Sequence, residues 1–370
     1  MSTVLQNTGD TMSAWQLERP GGTLALDRVA KPKPEAGAVV VRMRAVPLLS
    51  YTKAYVAGEL PYAYPPGPFT IGTNGVGNVE SIGDGVYHVR PGDRVIVHPF
   101  FTADAPVAEP PRILIGLTGV SADSGSMLAA WPNGTLAEYA LMPASAVVPA
   151  RTLNEIPDER LASLAKFAVP FGGLLRGQCG AGETLVVHGA SGYFGSAAVL
   201  LGLALGAARV VAAGRNRDVL EKLALICPSR IFPIVLSGEI RRDTDTIRQS
   251  CDGSADLVFD QVGRAADNNG FMAALRSLRR GGRLVLMGSA TTPLALDYNE
   301  IMLNDWEIVG NFMYAKTTYP KLISLVQAGL LDLSSVHLQH FPFEELPAAM
   351  TAASSMRGLD STILLVRSGS

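Results

Sequence analysis

The sequence predicts an α/β protein of two domains, one mostly β and the other a doubly wound parallel sheet. Three observations carry that expectation. The chain has 370 residues, more than one compact core usually organises. Its first part holds short β-rich runs broken by Gly and Pro. Its later part alternates apolar strand-like runs with helical stretches, the rhythm of a parallel sheet with crossover helices.

From Gly37 the runs Ala38-Val-Val-Val-Arg-Met-Arg-Ala45, Gly75-Val-Gly-Asn-Val-Glu-Ser-Ile82 and Asp93-Arg-Val-Ile-Val97 read as strands. Gly83-Asp-Gly85 and Pro91-Gly-Asp93 supply the turns between them. Pro61, Pro65, Pro66 and Pro68 disfavour helix in the stretch between strands. An irregular insert is expected from His98 to Asn133, and Gly134 to Leu141 resumes the alternation.

After Arg151, strands are expected at Leu185–His188, Arg209–Ala213, Asp256–Asp260, Arg283–Gly288 and Glu307–Met313. Helices are expected at Tyr193–Leu205, Asp218–Ile226 and Ala265–Leu278. From Thr317 two amphipathic helices flank a β-like run at Val336–Phe343, and Thr362–Val366 closes the chain, folding back on the first domain. The expected division is therefore residues 1–150 with 315–370, and residues 151–314.

Composition narrows the function. Hydrophobic residues make up 48% and charged residues 17%, a balance that argues against disorder. A formal charge of -2 without a basic run argues against nucleic-acid binding. The apolar stretch from Thr184 to Ala208 is broken by five glycines into pieces too short for a bilayer, so no membrane role is expected. The N-terminus lacks the features of a secretion signal, and three cysteines without close pairs suit a reducing cytoplasm. No Tyr precedes a Lys by four residues, and no Gly-x-Ser-x-Gly elbow occurs.

The sharpest motif is Leu185-Val-Val-His-Gly189-Ala-Ser-Gly192-Tyr-Phe-Gly195. Glycines at intervals of three follow a buried strand and open a helix, where backbone amides and the helix dipole face a pyrophosphate. The alternative is a glycine-rich turn that merely packs tightly. The second strand then ends Val210-Val-Ala-Ala-Gly214-Arg215-Asn216-Arg217, without the acidic residue that holds NAD ribose hydroxyls. Two arginines suit a 2'-phosphate instead, and NADPH is the expected cofactor.

Taken together these residues resemble the medium-chain dehydrogenase/reductase superfamily. The resemblance runs through Gly72-Thr-Asn-Gly75-Val-Gly77, Pro91-Gly-Asp-Arg-Val95, Gly134-Thr-Leu-Ala-Glu-Tyr139, the glycine turn, Phe259-Asp-Gln-Val-Gly263 and Gly281-Gly-Arg-Leu-Val-Leu-Met-Gly288. It implies a GroES-like, partly open β-barrel catalytic domain, a Rossmann domain, and a homodimer joined through the last Rossmann strand. The implied cofactor contacts are Gly189, Ala190, Ser191, Gly192, Tyr193, Phe194, Gly195, Gly214, Arg215, Arg217, Val262, Gly288 and Phe312.

Where the zinc-dependent members carry ligands, this chain has Leu49, Thr73 and apolar or small residues near Ala168 to Phe171. None can bind zinc, and the insert holds no Cys for a structural zinc. No metal is expected, and the chain resembles the zinc-less branch of quinone oxidoreductases and enoyl reductases. Without a Lewis acid, activated acceptors such as enones and quinones are favoured over simple aldehydes. Tyr51 is nominated as proton donor, with Tyr55, Tyr62 and Tyr64 competing and a packing role as the plain alternative. Leu49, Tyr55, Thr73, His98 and Phe100 are expected to line a pocket for a small apolar or aromatic substrate. The rivals are a metal-free carbonyl or secondary-alcohol oxidoreductase, and an NADPH-binding protein without turnover. His188 is expected to be a satisfied structural residue.

Overall fold

The computed structural model describes residues 11–366. The chain divides into two compact units. The first comprises the residues up to Ala165, Leu338–Ser355 and the residues from Ser361. The second comprises Lys166–His337 and Met356–Asp360.

These boundaries differ from the expected 150/151 and 314/315, for two physical reasons. Arg94 ties residues 151–165 to the first unit. Its guanidinium donates to Asp158 Oδ1 at 2.8 Å and to the carbonyls of Leu153 and Ile156 at 2.8 and 2.7 Å. At the other junction, Tyr314 and Tyr319 pack edge-on with centroids 5.7 Å apart, both buried. Tyr314 also lies against Gly172, which holds the stretch after residue 314 in the second unit.

In the first unit Ala38–Pro47 is the central strand. Val39, Val40, Val41 and Met43 are all buried on it, and Gly75–Ile82, Tyr139–Pro143 and Asp360–Leu365 pair with it antiparallel. The full sheet has seven strands, with register shifts at Val40/Val41 and Met43/Ala45. Thr11–Leu17, Leu24–Ala30 and Phe69–Thr70 form a separate three-stranded sheet. The insert after His98 is more regular than expected. Phe100–Thr102, Arg112–Leu114 and Thr118–Gly119 form a small antiparallel sheet, followed by the helix Gly125–Ala130.

The second unit is a six-stranded parallel sheet. In chain order its strands are Thr184–His188, Arg209–Gly214, Ile231–Val235, Ala255–Asp260, Leu278–Leu286 and Glu307–Gly310, and their order across the sheet is 3-2-1-4-5-6. Leu185, Val186 and Val187 are fully buried, as a strand covered by helices on both faces requires. The sequence reading found five strands and missed Ile231–Val235. That strand carries Pro233, which cannot donate to a ladder and is tolerated because the strand lies at the sheet edge. Its crossover helix, Ile240–Cys251, was missed with it.

Candidate active site

In a doubly wound sheet, ligands bind outside the carboxyl ends of the strands where the strand order reverses. Here that point lies between Thr184–His188 and Ala255–Asp260, and a cavity of about 550 Å³ opens there. The glycine turn forms one wall. Gly189 has φ +87°, a left-handed conformation that side chains disfavour, and a Cβ on it would press on Gln261 and Val262. A Cβ on Gly195 would lie 2.1 Å from the Gly189 carbonyl oxygen, so only glycine lets the helix Tyr193–Ala204 start this close to the turn. The turn is held by the amides of Gly189 and Ala190, which both donate to the Ala213 carbonyl at 3.0 Å.

Of the expected cofactor residues, Gly189, Ser191, Gly192, Gly214, Arg215, Val262 and Gly288 line this cavity. Ala190 is fully buried behind it, and Gly195 supports the helix. Tyr193, Phe194, Arg217 and Phe312 do not line it. Tyr193 and Phe194 pack on each other edge-on at 4.9 Å. Arg217 turns along its own helix to Glu221, 3.5 Å away, and Phe312 is exposed. The two arginines thus separate. Arg215 faces the cavity and Arg217 does not.

Three further residues of the cavity wall lie outside the expected cofactor contacts. Arg264 adds a second cation to the cavity wall. His188 and Asp260, in register at the ends of adjacent strands, also line it. The imidazole Nδ1 lies 2.6 Å from Asp260 Oδ1, so the carboxylate accepts the Nδ1 proton and fixes the ring. His188 is therefore satisfied, as expected, and faces the cavity as well. Polar residues ending two adjacent buried strands were the available signal. Lys166 is fully buried, with its Nζ 3.4 Å from the Tyr193 ring centroid and 3.4 Å from the Asp360 carbonyl. Burial pushes its amine well below the usual lysine range.

In the first unit, Leu49, Tyr51, Tyr55 and Thr73 come together around a cavity of about 20 Å³, together with Thr52 and Leu117. His98 and Phe100, also expected at the pocket, do not line this cavity. His98 is buried, and desolvation lowers its pKa to about 4, so the ring is neutral near pH 7. The tyrosines sort by their hydroxyls. Tyr55 is buried and donates to the Leu117 carbonyl at 2.7 Å, while Tyr64 stacks on it and donates to the Tyr55 carbonyl at 2.9 Å. Both are committed to structure, and burial pushes both pKa values up. Tyr51, at the start of the helix Thr52–Val56, meets Tyr62 edge-on at 6.4 Å and shares a hydrogen bond with it.

The residues around this cavity do not fit a zinc ion. They offer hydroxyls and apolar groups but no thiolate, imidazole or carboxylate. Among the described residues no group of three or more His, Cys, Asp and Glu could hold a metal. All three cysteines belong to the second unit.

Comparison with known proteins places this architecture. Residues 35–153 match the alcohol dehydrogenase GroES-like domain family, and residues 194–328 match the zinc-binding dehydrogenase family. The chain belongs to the medium-chain dehydrogenase/reductase superfamily of oxidoreductases. An alcohol dehydrogenase from Moraxella sp. (strain TAE123) is 26% identical over 323 residues, covering 86% of this chain and 89% of the relative. Among solved structures, an alcohol dehydrogenase from E. coli CFT073 complexed with NADH has a TM-score of 0.79 at 20% identity, covering 97% of this chain and 100% of the other. A Sinorhizobium meliloti 1021 protein described as a zinc-binding dehydrogenase, bound to NADP, has a TM-score of 0.76 at 18% identity, covering 96% and 99%. At these identities the structural likeness carries the fold.

Proposed function

We propose that this protein is a metal-independent, NADPH-dependent reductase of an activated C=C bond or quinone. The observation that carries the reading is a cavity at the switch point of the parallel sheet, in a chain with a second cavity lined by hydroxyl-bearing and apolar residues, where a metal site would need thiolate, imidazole or carboxylate ligands. The cavity volume falls in the range of about 300–1,000 Å³ usual for ligand sites. The preference for NADPH is supported by Arg215, which lines the cavity, and by a strand end without a carboxylate to favour NAD.

When bound, a reduced nicotinamide supplies hydride to the electrophilic carbon. The electron pair displaced onto the acceptor's oxygen would then have to be neutralised by a proton. Tyr51 supplies the balancing proton, with Tyr62 as its hydrogen-bonded neighbour. A second reading, a metal-free carbonyl or secondary-alcohol oxidoreductase, is favoured by the alcohol dehydrogenase among the relatives.

The test is NADPH consumption by chelator-treated protein with matched enones, quinones and saturated ketones. Reduction of the enone to a saturated ketone is expected. Alcohol products would select the second reading, and loss of activity with stoichiometric zinc would overturn metal independence.

We also propose a homodimer through Glu307–Gly310, the last strand of its sheet, beside exposed Tyr298, Met302, Leu303 and Phe312. A monomeric mass by light scattering would refute it. No described helix is long and apolar enough to cross a membrane, and the free cysteines suit a reducing cytoplasm.

A further inference from the structure

The cavity beside Tyr51 is small. About 20 Å³ admits one water-sized atom, since a water needs at least roughly 10–15 Å³ on this measure. It therefore suits one substrate oxygen, with the rest of the substrate outside it. A group that stabilises negative charge on that oxygen must present a hydrogen to it. Four of the residues that line the cavity carry a side-chain hydroxyl: Tyr51, Thr52, Tyr55 and Thr73.

Their hydrogens can be accounted for one by one. Thr52 donates to the Leu49 carbonyl at 2.8 Å, and Tyr55 donates to the Leu117 carbonyl at 2.7 Å. Tyr51 and Tyr62 share a hydrogen bond in which either phenol can donate, and Tyr51 is assigned the proton transfer above. Thr73 differs in receiving a hydrogen. Asn74 Nδ2 donates to Thr73 Oγ1 at 3.0 Å, in a buried contact. A hydroxyl has one hydrogen and two acceptor lone pairs. The Asn74 bond occupies a lone pair and leaves the Thr73 hydrogen to point elsewhere. Asn74 is itself anchored, because Thr135 Oγ1 donates to its carbonyl at 2.9 Å.

We propose that Thr73, polarised by Asn74, is the hydrogen-bond donor that stabilises the substrate oxygen as hydride arrives, doing there what a metal would otherwise do. This rests on the metal-independent reading above and adds a specific donor to it. Thr73 gives no proton away. It holds the developing oxyanion, and Tyr51 supplies the proton.

Two variants test the polarity of the pair. Thr73→Val keeps the shape and removes the hydrogen. Asn74→Asp keeps the shape and places an acceptor where a donor stood, drawing the Thr73 hydrogen back. Thr73→Ser retains the donor and controls for side-chain loss, while melting temperature checks that each variant folds.

The first readout is the carbonyl stretch of carbon-13-labelled 2-cyclohexenone bound to the protein with NADP+, a complex that cannot turn over. A red shift relative to the free ketone is expected in the wild type and in Thr73→Ser, and its loss in Thr73→Val and Asn74→Asp. The second readout is enone reduction with NADPH. Removing one oxyanion donor costs about 100- to 1,000-fold in kcat, and Thr73→Val and Asn74→Asp are expected to fall in that range with NADPH affinity unchanged.

An equal red shift in wild type and Thr73→Val would overturn the proposal, and so would failure of 2-cyclohexenone to bind the wild type saturably. A Thr73-dependent red shift without reduction by the wild type would instead overturn the reductase reading and leave the donor standing.

Discussion

The two cavities are built from different materials. In the second unit one wall is a backbone turn, from Gly189 to Gly195, whose close approaches only absent side chains allow. In the first unit the wall is side chain, and its chemistry depends on which way each hydroxyl hydrogen points. The difference teaches that a backbone site tolerates few substitutions and announces itself in glycine spacing. A hydroxyl site can be altered by one isosteric replacement, and nothing in the spacing reveals it.

The largest effect is expected from breaking the backbone site. Gly195→Val places a Cβ 2.1 Å from the Gly189 carbonyl oxygen and 2.9 Å from the Ala190 Cα, both backbone atoms that cannot rotate away. Overpacking of this kind costs about 1–3 kcal/mol or more. A clear drop in melting temperature and loss of detectable NADPH binding by fluorescence titration are expected. Gly125→Ala, where a Cβ meets nothing within 4 Å, should leave both unchanged. Wild-type NADPH affinity in Gly195→Val would show that the close approach does not shape the cofactor site.

A smaller effect belongs to the first unit alone. Burial lowers the His98 pKa from 6.5 to about 4, so the folded protein holds the neutral ring while the unfolded chain takes up a proton. Stability from this group is complete above pH 6.5 and is lost as pH falls toward 4. The full loss is on the order of 3 kcal/mol. Denaturant unfolding from pH 7 to pH 4 should show it, and His98→Gln should flatten that part of the slope. An unchanged slope in the variant would assign the acid sensitivity to other groups.

How much could be read from the chain follows the same division. The parallel sheet was legible because Leu185-Val-Val, Arg209-Val-Val and Asp256-Leu-Val-Phe are continuous apolar runs bounded by turns. Ile231–Val235 escaped because Pro233 reads as a strand breaker in any strand but an edge one. Gly189 and Gly192, singled out by their spacing, both line the cavity of the second unit, since the geometry of a strand-turn-helix is local. The pairing of His188 with Asp260 could not be read that way, as 72 residues separate them and only strand order brings them into register. The tyrosines were found as a cluster, but their hydrogen-bond partners, which separate Tyr51 from Tyr55 and Tyr64, are set by tertiary packing. Likewise Arg215 and Arg217 look equivalent in sequence, and only the helix starting at Arg217 separates them.

That pair supplies the finest test of the contrast, because it asks whether one side chain can matter at a backbone site. Arg215 lines the cavity, whereas Arg217 lies along its helix 3.5 Å from Glu221. A hydrogen bond to a charged group is worth about 1.5–3 kcal/mol, so Arg215→Ala should weaken NADPH binding by roughly 10- to 100-fold and leave NADH binding nearly unchanged. Arg217→Ala removes only an exposed ion pair between residues four apart on a helix, worth about 0.3–0.5 kcal/mol, and should shift neither affinity by more than about twofold. Parallel titrations of both variants with NADPH and NADH would decide it. Equal losses in the two variants would mean that the loop after Gly214 rearranges around the cofactor and that the contrast between them belongs to the unliganded protein alone. A loss confined to Arg215 and to NADPH would show that the backbone turn holds the dinucleotide while one guanidinium selects which dinucleotide it is.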